Sequence, residues 1–329
     1  MKAAAPIGAS SPDGQSTALK SRVRIGEKIA EMSLSAVALL SIAAIVLILA
    51  FVAREALPAL LGAPIGDGVR PIDLLTPGVH EDGSEHFLWR PVSTPPQYNI
   101  VPLILGSFKV TLIAVCVAAP LGILSAIYVS EYAGKREREI IKPVIELLAG
   151  VPSVVIGFFA LIVLATWVQG AFGTEHRLNA LVAGLGLSLA VCPLIFTVSE
   201  DALQAVPNAY RTAALALGSD RAQMIVRVVL PAALPGVLAS MVLGFGRAIG
   251  ETMIVLLASG NAALVTNQIG VSTRTMTATI AQELGEVVVG SAHYHVLFAL
   301  GTVLFATTFV LNFIGERVVH RLRQKLGTS

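Results

Sequence analysis

The segment Gly244–Met253, GFGRAIGETM, places an arginine and a glutamate, Arg247 and Glu251, inside one of the most apolar stretches of the chain. At i, i+4 the two side chains share a face wherever the segment is helical. A guanidinium donates bidentately to an oxyanion, and a carboxylate beside it keeps such an anion from binding too tightly to leave. The same spacing allows an inert, mutually neutralising pair, although Arg before Glu is the less favourable order along a helix. Both readings stand at this level. The first, a pair belonging to an anion path or its gate, is preferred because ionisable groups inside membrane spans default to function.

The other polar candidates are weaker. Lys109 reads as a snorkelling lysine near an outer face, and Glu146 as an interfacial carboxylate. GVPSVVIG, Gly150–Gly157, puts a proline and two glycines in an apolar stretch and reads as a kink. Thr275, Thr277 and Thr279 share a face only if extended, whereas Ala278–Leu284 suggests helix. His293 and His295 read as interfacial, and Cys116 and Cys192 as small buried hydrophobes with neither disulfide nor metal-ligand spacing. The sequence shows no nucleophile–base or metal cluster, which argues against an enzyme. It has no G-x-x-x-x-G-K-[ST] loop for ATP phosphates, so no cofactor is expected on this chain and any hydrolysis belongs elsewhere.

The elements carrying these residues follow from composition. Of 329 residues 55% are apolar and 13% charged, with a mean hydropathy of +0.77. A soluble domain usually carries about a quarter charged residues, so the lipid bilayer is the expected solvent and an all-α polytopic membrane protein the expected fold. Six stretches reach the roughly 20 residues a spanning helix needs. They lie near Ser33–Ala53, Phe108–Val129, Pro143–Trp167, Asn179–Ser199, Leu234–Ala258 and Tyr294–Ile314. Arg247 then lies about 20 Å along the fifth, where an arginine costs about 2.5–3.5 kcal/mol unless it finds a partner or a polar cavity.

Lysines and arginines alternate between sides. They crowd the N-terminal tail (Lys2, Lys20, Arg22, Arg24, Lys28), the second-to-third connection (Lys135, Arg136, Arg138, Lys142), the fourth-to-fifth (Arg211, Arg221, Arg227) and the C-terminus (Arg317, Arg321, Arg323, Lys325). The opposite side has only Arg54, Arg70, Arg90, Arg177 and Arg274. The positive-inside rule therefore puts both termini in the cytoplasm. Residues 1–32 form a cytoplasmic tail that begins with a segment disordered by composition, ahead of a membrane domain over 33–329. The outer loop 54–100 reads as irregular, with Trp89 and Tyr98 as interfacial anchors.

The connection 200–231 is too long for a turn and carries its own pattern, VPNAYRTAALALGSDRAQMIVRVVLPAALPG. Pro207 suits a first helical turn, Gly218 a left-handed stop and Ser219 a cap for a second helix. Pro231 then begins the next membrane stretch. The small apolar face of Ala213, Ala214 and Leu217 has no obvious core of its own and asks for a partner groove.

This loop resembles the EAA loop of ABC-importer permeases, whose pattern is Glu-Ala-Ala, three residues, Gly, nine residues, Ile, one residue, Leu-Pro. Here it reads Thr212-Ala213-Ala214, Gly218, Val228, Leu230-Pro231, with every spacing kept and Thr212 standing where the family has Glu. Longer segments resemble the phosphate-specific importer permease of the PstC type: PLGILSAIYVSEYA (120–133), IELLAGVPSVVIGFFA (145–160), SEDALQAVP (199–207), LPGVLASMVLGFGRAIGETM (234–253) and RTMTATIAQELGE (274–286). The resemblance runs from about Tyr98 to the C-terminus. It implies the type I ABC-importer permease fold in a cell inner membrane, with phosphate as cargo. It further implies a second permease chain, two cytoplasmic ATPase subunits carrying ATP and Mg, and an external phosphate-binding protein. Nothing suggests nucleic acid. A permease for another oxyanion, such as sulfate or molybdate, and a stand-alone secondary anion carrier are the alternatives.

Overall fold

The computed structural model describes residues 25–61, 71–79 and 85–326. The disordered start expected of the tail, and the part of the outer loop that holds Arg70, lie outside them. Two compact units are distinguished, Met1–Ala50 and Phe51–Ser329. What is described of the first is most of α1 (Ile25–Leu61), a helix apolar all round, with Leu34, Val37, Leu40 and Leu47 exposed.

Among the described residues six helical segments are long and apolar enough to cross a membrane: Lys28–Leu61, Val101–Tyr132, Ser153–Phe172, Ala180–Gln204, Arg221–Ile249 and Ala292–Gln324. At the centre of the second unit stands α6 (Ala180–Gln204), with Leu187, Ile195 and Phe196 wholly buried. Against it pack α2 (Val101–Ile127) and α9 (Leu230–Ile249). Without a hydrophobic force between helices in lipid, close approach is the source of contact energy, and small residues permit it. A Cβ on Gly184 of α6 would sit 2.5 Å from Ile113 of α2.

The second span ends in a π-helical turn, Tyr128–Tyr132, and is followed by α3 (Lys135–Ala149). The third departs from expectation. The stretch expected over Pro143–Trp167 is interrupted at Gly150–Pro152, and the spanning segment begins only at Ser153. The cause is Pro152, held at φ −57° and ψ 135°, whose ring disfavours helix at the residue before it. What precedes is no membrane span but an amphipathic helix: Ile140, Val144 and Leu147 line one exposed face of α3 while Arg138 and Lys142 turn to α6. Beyond the break come α4 (Ser153–Phe159), a π-helical turn and α5 (Ala165–Phe172).

The fourth-to-fifth connection folds into α7 (Asn208–Ala216) and α8 (Arg221–Met224), and α8 runs through a further π-helical turn, Ile225–Val229, into α9. After α9 follow α10 (Met253–Ala258), α11 (Met276–Glu283) and α12 (Ala292–Leu326). The loop expected to be irregular contains two small antiparallel pairs, β1 (Gly78–Val79) with β2 (Glu85–His86) and β3 (Trp89–Arg90) with β4 (Gln97–Tyr98). Trp89 and Tyr98 are not interfacial anchors. They are buried, 4% and 6% exposed, in a core with Leu103, Met276 and Val296.

Candidate translocation path and coupling hairpin

The fifth stretch, expected as one helix over Leu234–Ala258, is broken where the charged pair lies. The α9 helix stops at Ile249 and the chain turns through Gly250, Glu251 and Thr252 before α10 begins. The depth of the break follows from its neighbours. Gly244 lies against Val191 and Ile195 of α6, and Ile254 against Gly186. At 1.5 Å per residue the turn therefore sits about 9–16 Å below the first residue of α6, within the apolar thickness of roughly 30 Å.

The two charged residues part company there. The Glu251 carboxylate accepts from the backbone N–H groups of Thr252 (3.1 Å) and Met253 (3.2 Å), two donors that the start of α10 leaves without helical partners. Its backbone carbonyl accepts from the Thr277 hydroxyl at 2.8 Å. Thr275 caps α11, and Ser107 of α2 accepts from the Met276 N–H at 3.0 Å. The break is thus held from three sides. Arg247 makes no hydrogen bond or ion pair among the described residues, and it lies exposed with Leu243 and Gly250 on one face of the segment. The expected i, i+4 pair does not form, because the turn at Gly250 carries Glu251 out of the helix.

The hairpin keeps its glycine stop. Gly218 adopts φ +85°, its N–H reaching the Leu215 carbonyl (3.0 Å) while the Ser219 N–H reaches that of Ala214 (3.2 Å), the paired closing bonds of a Schellman ending. Pro207 stands just before α7 rather than within its first turn. The cap of α8 is Asp220, not Ser219: its carboxylate accepts from the Gln223 N–H at 2.8 Å, and the Gln223 side chain accepts from the Asp220 N–H. Ala214 is turned inward against Leu203, Met224 and Val229, so the outward apolar face is Tyr210, Ala213 and Leu217, the last 88% exposed. Thr212 is exposed and bonds only to carbonyls of its own helix. Leu230 and Pro231 are half-buried at the start of α9.

Residues 118–327 match the family described as the binding-protein-dependent transport system inner membrane component. The chain belongs to this family. Among its relatives, the probable ABC transporter permease protein YqgH of Bacillus subtilis is 36% identical over 85% of this chain and 86% of its own length. The phosphate transport system permease protein PstC of Mesorhizobium japonicum is 31% identical over 73% and 78%. The probable phosphate transport system permease protein PstC of Methanocaldococcus jannaschii is 28% identical over 76% and 86%. Among solved structures, a chain of the MetNI methionine ABC transporter in an inward facing conformation superposes with a TM-score of 0.51 at 17% identity, covering 68% of this chain and 94% of that one. A chain of a bacterial alginate ABC transporter does so with 0.51, also at 17% identity, over 68% and 78%. The fold is that of the type I ABC-importer permeases, and the chain is a multi-pass membrane permease subunit.

In this permease ionic clusters at both ends were not foreseen. At the loop end Glu283 binds Arg274 (2.5 Å), His293 (2.9 Å) and the Trp89 indole N–H (3.0 Å), beside a cavity of about 530 Å³. Burial alone would raise the Glu283 carboxyl, but the His293 hydrogen bond and the Arg274 charge outweigh it and hold it below the usual carboxylate range. His293 is therefore a hydrogen-bond partner of Glu283 rather than an interfacial residue, and His295 bonds the Glu55 carbonyl at 2.8 Å. At the hairpin end Glu200, wholly buried, receives Arg138 (2.5 Å) and Lys142 (2.8 Å). The hydrogen bond it donates to Glu200, acting against burial, holds the Lys142 ammonium above its ordinary value. Lys109 does not snorkel freely: its ammonium bonds the carbonyls of Thr266 and Gln268. Glu146 is exposed, as an interfacial carboxylate would be. The signal for both clusters was present as isolated acids among basic residues, but which acid meets which base depends on contacts across the fold.

Proposed function

We propose that this permease is one of two membrane subunits of an ATP-driven importer of inorganic phosphate, lining the path with a second permease chain. The observation that carries the reading is Arg247. A guanidinium at mid-depth with no partner among the described residues is too costly to face lipid, so its face of α9 belongs against a protein or water-lined boundary. Bidentate donation suits a tetrahedral oxyanion. Glu251 acts beside it as the cap that fixes the turn, keeping the arginine free. Phosphate rather than another oxyanion is favoured by the PstC relatives and by the segments shared with that type.

The hairpin is the coupling element. Its outward face of Tyr210, Ala213 and Leu217 offers a groove-filling apolar surface to one of two ATPase subunits, which carry ATP and Mg. Thr212 contributes no charge there. The excess of lysine and arginine on the hairpin side places it, with both termini, in the cytoplasm. An external binding protein delivers phosphate to the opposite face. ATP-driven closure of the ATPase pair pulls the hairpin and turns the membrane helices from inward-open to outward-open.

The test is uptake of labelled phosphate at low concentration by cells lacking this chain. They are complemented with the unaltered permease, Arg247→Lys or Arg247→Ala, with sulfate and molybdate as competitors. Uptake restored by the unaltered chain, indifferent to competitors and lost with Arg247→Ala is the expected result. Competition by sulfate or molybdate would reassign the cargo. Full restoration by Arg247→Ala would remove the arginine from the path. Uptake without any ATPase subunit would point to a secondary carrier.

A further inference from the structure

The most heavily built ionic site at the hairpin end lies where the second span stops, and the path has no use for it. The π-helical turn Tyr128–Tyr132 carries Glu131, whose side chain is 5% exposed. Val129 of the same turn belongs to an apolar cluster with Leu203, Ala214 and Met224, and a carboxylate buried to this degree would be expensive if unpaired. Its partner is Arg211 of α7, through Nη2 to Oε1 at 2.6 Å and Nε to Oε2 at 3.2 Å.

The same guanidinium has donors left, and two of them go to the end of α6 and its exit: Nη1 to the Val206 carbonyl at 2.5 Å and Nη2 to the Leu203 carbonyl at 2.8 Å. These carbonyls belong to the end of a helix and its exit, where backbone acceptors run out of helical partners. One side chain thereby joins three elements. The second limb of the hairpin reaches the same turn independently. Arg221 donates to the Glu131 backbone carbonyl and lies over the Tyr132 ring, 5.1 Å from its centre. Glu131 is held by α7 through its carboxylate and by α8 through its carbonyl.

We propose that the Glu131–Arg211 pair, steadied by Arg221, is the link that delivers movement of the hairpin to α2 and α6. The two are positioning residues for transport and touch no cargo. Apolar contacts of Ala214 and Met224 already keep the hairpin against the bundle, but such contacts slide. A two-point charge-assisted bond fixes direction as well as distance, which a rigid transmission needs and a mere brace does not. The π-helical turn supports this: the inserted residue interrupts regular helical register where Glu131 must face inward, and such turns recur at functional sites. The proposal rests on the reading of the hairpin as the ATPase dock.

The test uses the whole transporter, purified with its ATPase subunits and reconstituted in liposomes, carrying Glu131→Gln, Glu131→Asp or Arg211→Lys. ATP hydrolysis, ATPase co-purification and labelled phosphate uptake are read together. A fourth readout needs no cargo: the nucleotide-dependent labelling by an impermeant maleimide of Gly250→Cys, with Cys116 and Cys192 replaced by serine. With Glu131→Gln the ATPase should still co-purify and hydrolyse ATP, while uptake per ATP and the nucleotide-dependent labelling change both fall about tenfold, the scale of an allosteric coupling. Glu131→Asp should restore most of both, and Arg211→Lys should fall between. An unchanged labelling response in Glu131→Gln overturns the proposal. Loss of the ATPase from Glu131→Gln and Glu131→Asp alike also overturns it, making the pair a brace. If the unaltered chain fails to retain the ATPase, the docking reading falls and the link with it. If it retains the ATPase and switches but moves no phosphate, only the cargo is wrong and the labelling still decides the link.

Discussion

If Glu251 serves as a cap rather than as the counter-charge of Arg247, removing its charge and removing its oxygen atoms should have different effects. One carboxylate oxygen accepts both N–H groups, from Thr252 at 3.1 Å and Met253 at 3.2 Å. Glu251→Ala strips both donors in a half-buried turn where little water reaches them. Loss of a helix cap costs about 1 kcal/mol, and leaving a buried donor unpaired about 1–3 kcal/mol. The bonds are long and the site partly exposed, so about 1–2 kcal/mol is expected for the pair. Glu251→Gln keeps an acceptor in place with neutral bonds of roughly half the strength, a loss of about 0.5 kcal/mol. At about 2–4 °C per kcal/mol, thermal unfolding in detergent should separate the alanine variant from the unaltered chain by several degrees and the glutamine variant by about one. Uptake should follow the same order, Glu251→Gln near the unaltered chain and Glu251→Ala well below it. Equal losses for both variants would refute the capping argument and return Glu251 to a charge role toward Arg247.

Two further expectations follow from the packing and from the loop-end cluster. Glu283 is held below its ordinary carboxylate range, so its contribution to stability is fully present above the unfolded value of about 4.3 and is lost as pH falls through the lower folded value. With Trp167→Phe leaving Trp89 as the reporter, the indole fluorescence change that Glu283→Gln abolishes should lie below about pH 4.3; a Glu283-dependent change only above that pH would contradict the assignment. Gly184→Leu would drive a Cβ to within 2.5 Å of Ile113, an overpacking worth about 1–3 kcal/mol. Added Ile113→Ala should recover much of the lost thermal stability, and strict additivity of the two changes would show that they do not meet.

What was legible in the sequence was what depends on composition and local pattern. An apolar fraction that high leaves bilayer helices as the way to satisfy every backbone group, and Gly218 stops α7 because a left-handed residue is needed there. The helix, glycine turn and second helix within 207–231 were legible because the spacings that set them are local. The faces were harder. Ala214 was expected to point outward with Ala213, yet it fills a gap against Leu203 and Met224, and Tyr210 takes its place on the open side. Helical spacing says which residues share a face, not which face the rest of the chain will cover.

The break between α9 and α10 shows where local pattern stops deciding. Ile249 and Met253-Ile254-Val255 are as apolar as the stretch before them, and Gly250 alone is a weak signal inside a membrane helix, where glycine is common. The turn persists because groups far along the chain receive the backbone it frees. Thr277 takes the Glu251 carbonyl, and Ser107 anchors the helix that carries Thr277. None of these partners is near residue 250 in sequence, so neither periodicity nor propensity could report them. The same separation explains the misread pair. Arg247 and Glu251 were one turn apart only on the assumption of an unbroken helix. Once the turn is held by α11, the glutamate is spent on α10 and the arginine is left with no partner among the described residues. That release is what gives α9 an uncommitted cation at mid-depth, and a helix continuous through residue 251 could have neutralised it.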